Sequence, residues 1–113
     1  MINIKTGVTL LGMVPQMMLS VRVLEALYEK RGATLVITAG NDGKHTRASE
    51  HYGGRAVDLR TFNLSPVVLT SQQIAKEIVA EAKIALGPDF FVQFETNPDH
   101  IHVHYEPKGP ATT

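Results

Sequence analysis

The stretch His100 to Tyr105, His-Ile-His-Val-His-Tyr, strictly alternates an imidazole with an apolar side chain. Successive side chains of a β-strand point to opposite faces, whereas a helix would scatter these residues around its circumference. The pattern therefore predicts a strand with Ile101, Val103 and Tyr105 on a core face and His100, His102 and His104 on the other. Just before it, Thr-Asn-Pro-Asp (96–99) is turn chemistry, and Phe90 to Glu95 is rich in aromatic and β-branched residues. Together they predict a β-hairpin.

Upstream, Pro15 to Arg31 reads as a helix. Proline suits its first position, Met18, Val21, Leu24, Ala26 and Leu27 form its apolar side, and Gly32 follows as the stop. Ala33 to Thr38 reads as a buried strand. A polar, glycine-rich loop follows from Ala39 to Gly54, and strand character resumes at Arg55. A second helix is expected over Thr70 to Leu86, with Thr70 and Gln73 as a capping box. Its buried stripe is Ile74, Ile78, Val79, Ala82 and Ile84–Ala85, and Gly87-Pro88 ends it. The expected class is α+β: a small, mainly antiparallel sheet with helices packed on one face.

At 113 residues the chain suits one domain, taken as 1–107 with a flexible tail at 108–113. Eleven basic and eleven acidic side chains cancel, with no clustered basic run, which argues against a nucleic-acid partner. The absence of cysteine excludes disulfides, thiolate metal sites and cysteine nucleophiles, so any metal must be held by nitrogen and oxygen. No apolar run approaches a membrane span, and Gly7, Gly12 and Pro15 break the mildly apolar N-terminus. The expectation is a monomer made in the cytoplasm without a signal peptide and not bound to membranes.

All five histidines lie in or beside two stretches, 45–58 and 99–106. In Arg-Ala-Val-Asp-Leu (55–59), Val57 and Leu59 share one face, and Ala56 and Asp58 the other. The Gly53-Gly54 pair permits a sharp bend that returns His51 toward Asp58. His51, Asp58 and one histidine of the last strand are then expected to converge. Two imidazoles and a carboxylate suit zinc with a fourth position left to water, and they also suit ferrous iron. Against this stands the plainer reading that strand histidines are incidental.

Ser49, His51, Gly54, Ala56 and Asp58 fit the pattern S-x-H-x-x-G-x-A-x-D at every fixed position. In this the chain resembles the zinc D-Ala-D-Ala carboxypeptidase and phage L-alanyl-D-glutamate endopeptidase family, whose fold and motif the hedgehog signalling domain shares. Asn41 to Arg60 is particularly similar to the hedgehog version, including His45. The likeness runs from about Val36 to Tyr105. It implies one zinc ion, with His51, Asp58 and His102 as ligands. It selects His102 over His104 because those peptidases place a catalytic carboxylate three residues before the last ligand, where Asp99 stands. With His104 as ligand, that position would be Ile101.

The implied activity is hydrolysis of peptidoglycan stem or cross-link peptides, D,D- or L,D-bonds, by metal-activated water, as in an endolysin-like protein. Action at the cell wall then requires release or export. Asp99 is the expected base, with Glu95 as alternative. His45 and His100 orient water or stabilise the oxyanion, Ser49 braces the loop or meets substrate, and His104 sits on the rim. The family's arginine in a T-S-G-x-R stretch is replaced here by Asp42, leaving Arg47 and Arg55 as candidates to hold substrate. The acidic calcium cluster of hedgehog proteins is mostly missing, so no calcium site is expected. The competing implication is a zinc-stabilised, non-catalytic binding module of hedgehog type.

Overall fold

Two amphipathic helices and a handful of short strands can bury their apolar stripes only against one another, and the layering follows from that. The computed structural model describes residues 1–40 and 54–107. Its elements are β1 (Ile2–Ile4), α1 (Pro15–Glu29), β2 (Leu35–Ala39), β3 (Ala56–Arg60), α2 (Val68–Leu86), β4 (Phe90–Glu95) and β5 (His100–Tyr105), with a short 3₁₀ turn at Phe62–Leu64. The protein is α+β, as expected, with two helices packed against a five-stranded sheet of order β1-β2-β3-β5-β4. Three neighbouring pairs are antiparallel and β1 runs parallel to β2. Because β5 is antiparallel to both β3 and β4, those two strands run parallel to each other with β5 inserted between them.

The core lies between helices and sheet. Met17, Val21, Leu24 and Tyr28 come from α1, and Ala75, Ile78, Val79 and Ala82 from α2. Leu35, Ile37, Val57, Leu59, Val92, Ile101 and Val103 come from the strands. The buried Tyr28 hydroxyl donates to the Arg60 carbonyl at 2.7 Å, tying α1 to the end of β3. Burial also raises the Tyr28 pKa above the ordinary phenol value. Among the described residues no helix is long and apolar enough to cross a membrane.

Several local expectations are corrected. In α1 the stripe 17, 21, 24, 28 faces the core, so Met18 and Ala26 fall on the outer flank and are exposed. Met17, one residue or about 100° away from Met18, takes the core position. Helix α2 starts at Val68, and its preceding residue, Val67, has no side chain capping the helix. Thr70 and Gln73 therefore lie inside the helix and form no capping box. Its inward face is Ser71, Ala75, Ile78, Val79 and Ala82, so Ile84, 86% exposed, and Ala85 point away. Ser71 is accommodated there because its hydroxyl donates to the Ser65 carbonyl at 2.9 Å. Strand β1 carries no period in three residues and was not expected; β2 pairs with it from Leu35 to Ile37.

Of the Gly53–Gly54 pair only Gly54 is described, with φ +69°. A Cβ there would stand 2.2 Å from the Gly12 carbonyl oxygen, so the N-terminal turn and the start of β3 approach as only glycine allows. Gly40 meets the same turn from the other side: its Cβ would lie 2.6 Å from the Thr9 oxygen.

Candidate functional site

The register of the three strands sets the outer face of the sheet. Across β3 and β5, Ala56 pairs with His104, Asp58 with His102, and Arg60 with His100. Across β5 and β4, His104 pairs with Phe91, His102 with Gln93, and His100 with Glu95. Period-two alternation then puts all nine side chains on one surface, in three rows across the strands. The neighbouring residues Val57, Leu59, Val92, Ile101 and Val103 are in the core. The predicted division of β5 into an apolar and an imidazole face is what the fold contains.

A chain of close contacts starts at Asp58 and runs along β5. Asp58 Oδ1 and His102 Nδ1 are 2.9 Å apart. His102 Nε2 lies 2.9 Å from His104 Nδ1, and His104 Nε2 lies 3.4 Å from Glu106 Oε2. His104 also stacks on Phe91, with ring centroids 4.7 Å apart and planes 10° from parallel. His104 is thus 8% exposed and buried, not the rim residue expected, because the Phe91 ring covers it. His100 faces the third row: its Nε2 is 3.0 Å from Glu95 Oε1 and 3.9 Å from Asp58 Oδ1, and its Nδ1 is 2.7 Å from the Pro98 carbonyl.

Proton counting tests whether this run of contacts suits a cation. The run Asp58–His102–His104–Glu106 has three gaps. Three protons fill three gaps, one more than two neutral imidazoles carry, and either an imidazolium or a cation beside Asp58 would make up the difference. Asp58 and His102 would hold such a cation between them. His102 then donates from Nε2 to His104, and His104 donates from Nε2 to Glu106. The second-sphere acceptors that orient a metal-bound imidazole are therefore in place. Two atoms held at 2.0–2.1 Å by one tetrahedral ion stand roughly 3.3 Å apart. The Asp58–His102 pair lies a few tenths of an ångström short of that. Asp58 and His102 are two donors of the kind zinc takes, one short of the three of a catalytic zinc site. Among the described residues there is no group of three or more such side chains arranged to hold a metal. The third expected ligand, His51, lies outside the described residues, as do Asp42, His45, Arg47 and Ser49.

Asp99 ends the β4–β5 turn. Its Oδ2 accepts a hydrogen bond from Gln72 Nε2 of α2 at 2.9 Å, which fixes the carboxylate. With Asp58 and His100 it lines a cleft of about 330 Å³, whose other walls are Lys5, Thr38, Ala39, Arg60, Phe62 and Pro98. The competing base, Glu95, is held by His100 in the adjoining row and does not line this cleft. A larger depression of about 470 Å³ lies at the α2–β4 corner between Lys83 and Gln93 and contains no histidine or carboxylate.

Arg55, expected to meet substrate, is exposed at the opposite end of β3 and does not line the cleft. The cations that do are Arg60 and Lys5, neither of which was singled out from sequence. For Arg60 a signal existed: two residues beyond Asp58 on a strand, it must share that face. For Lys5 there was none, because its place depends on β1 joining the sheet. Comparison of the chain with family models, with curated proteins and with solved structures gives no match.

Proposed function

We propose that the protein is a zinc-dependent peptidase that hydrolyses peptidoglycan stem or cross-link peptides. One observation carries the reading: Asp58 and His102, separated by 43 intervening positions, meet at 2.9 Å on the open sheet face, beside a cleft that Asp99 also lines. The motif order supports it, since the same two residues are the ligands implied by the family resemblance, with His51 as the third.

A zinc ion held there supplies Lewis acidity toward the scissile carbonyl and a water acidified toward neutrality. The chain's own groups do the rest. Asp99 is pinned through Oδ2 by Gln72, and Oδ1 has no partner among the described residues. It takes the proton of the attacking water and returns it to the leaving amine. His100, braced by Glu95 and the Pro98 carbonyl, forms the cleft wall beside Asp58. His104 and Glu106 hold His102 in one tautomer, and the Phe91 ring excludes water from that side.

The test is digestion of purified peptidoglycan by zinc-loaded, untagged protein, with mass spectrometry of the products. Release of D-Ala or of D-Glu-linked fragments, absent in Asp99→Asn, is the expected result. No release from a protein that carries stoichiometric zinc sinks the enzyme reading. The second reading, a zinc-stabilised binding module, draws on the bonded state of both candidate bases: Asp99 is held by Gln72 and Glu95 by His100. It predicts full zinc content and no hydrolysis.

A further inference from the structure

The cleft beside Asp58 contains two cations that nothing described neutralises. The Arg60 guanidinium and the Lys5 ammonium both line it, and both also line an adjoining depression of about 400 Å³ formed with Asn3, Ile4, Thr6 and Val36. Neither forms an ion pair or a side-chain hydrogen bond with any described residue, although Asp58 and Asp99 line the same walls. Three other cations, Arg22, Lys30 and Arg31, are each paired with a glutamate.

Arg60 is also held in place. Its backbone carbonyl accepts the buried Tyr28 hydroxyl, which fixes the strand end. Its guanidinium carbon lies 4.7 Å from the centre of the Phe62 ring, so one face of the planar group is covered. Its Nε is buried with no hydrogen-bond acceptor among the described residues. Burying a donor without a partner is unfavourable. The two terminal nitrogens are not so enclosed, and a carboxylate has the planar shape to accept from both in parallel hydrogen bonds.

We infer that Arg60 and Lys5 form a carboxylate-binding subsite of the cleft, so that the peptide bound there carries a free carboxylate next to the segment lying over Asp58. Arg60 supplies the directional contact and Lys5 an adjacent point charge. The inference rests on the peptidase reading only for what is cut. The binding itself stands apart from it. Two carboxylates are possible on one stem peptide, the terminal one and that of its D-Glu residue, and both offer the same chemistry.

The experiment is calorimetric titration of the zinc-loaded full chain with three forms of a pentapeptide ending in D-Ala-D-Ala. These are the free acid, its C-terminal amide, and the amide in which the D-Glu carboxylate is amidated as well. Hydrolysis of each is followed separately. A drop in affinity of about tenfold or more at the first amidation assigns the terminal carboxylate, and a drop only at the second assigns D-Glu. In Arg60→Met, which keeps an apolar stem over Phe62, the preference should vanish. In Lys5→Gln, an exposed position, it should shrink with zinc content unchanged. Equal affinity for all three forms, binding of none of them, or a preference that survives both substitutions overturns the subsite. If the preference depends on Arg60 while no bond is cut, the subsite stands and the peptidase reading fails. If cutting occurs without preference, the reverse holds.

Discussion

Ile101 and Val103 on one face of β5 are fully buried, and on the other face the side chains of His102 and His104 are only 13% and 11% exposed. Enclosure therefore hardly separates the two faces of this strand. What separates them is the kind of partner. The inner residues meet alkyl groups of α1 and α2, contacts that are non-directional and scale with area. The outer residues meet specific atoms at hydrogen-bond distance, and each loses much of its support if one neighbour is removed. One face holds the fold together, and the other is held by it.

Substitutions on the two faces should therefore separate activity from stability. Asp99→Asn is expected to lower peptide hydrolysis by about 10²–10⁴-fold, the usual contribution of a positioned base, while the urea midpoint stays near wild type. A parallel collapse of stability would place Asp99 among the structural groups instead. Ile101→Ala should show the converse: a loss of about 2–5 kcal/mol in denaturant unfolding from the cavity left between helices and sheet. Zinc stoichiometry in the folded fraction should remain unchanged.

His102→Phe tests the border between the faces. It leaves Asp58 and His104 without their shared imidazole, so in chelator the protein should lose about 1–3 kcal/mol. Zinc content by mass spectrometry or atomic absorption should fall to background. Stoichiometric zinc in His102→Phe would remove Asp58–His102 as the metal locus.

The smallest effect is a control on neither face. Arg31 and Lys30 hydrogen-bond Glu81 and hold its carboxyl below the ordinary glutamate value of 4.5. A depressed folded value stabilises the protein above the unfolded value, and that contribution is lost as pH falls through the folded one. The stability gap between wild type and Glu81→Gln should thus be small near neutrality and close as pH falls below 4.5. A gap that widens on acidification would reverse the assigned sign.

Reading from sequence succeeded where the physics is local. The hairpin was legible because turn residues at 96–99 separate two runs of strand-forming residues, and the structure starts and ends β4 at Phe90 and Glu95. The helices were legible as elements, but their rotation was not fully so. Met18, Ala26 and Ile84 are apolar, yet face outward, because apolarity alone does not say which side of a broad stripe the sheet will cover. Asp99 is singled out only by the family resemblance, and His100 by the alternation of the last strand. Arg60 was passed over although alternation had already placed it beside Asp58.

Alternation along a strand is steric and involves only adjacent residues. By itself it puts three histidines on one face and Ile101 and Val103 on the other. Which strand those histidines face is a different matter. It depends on β5 entering between β3 and β4, and on a register that pairs Asp58 with His102 rather than with His100 or His104. A slip of one residue would turn the imidazoles into the core, and a slip of two would bring a different histidine to Asp58. Only the simultaneous burial of seven strand residues against both helices selects among these pairings. The same collective packing brings β1 alongside β2 and carries Lys5 to the cleft wall beside Arg60.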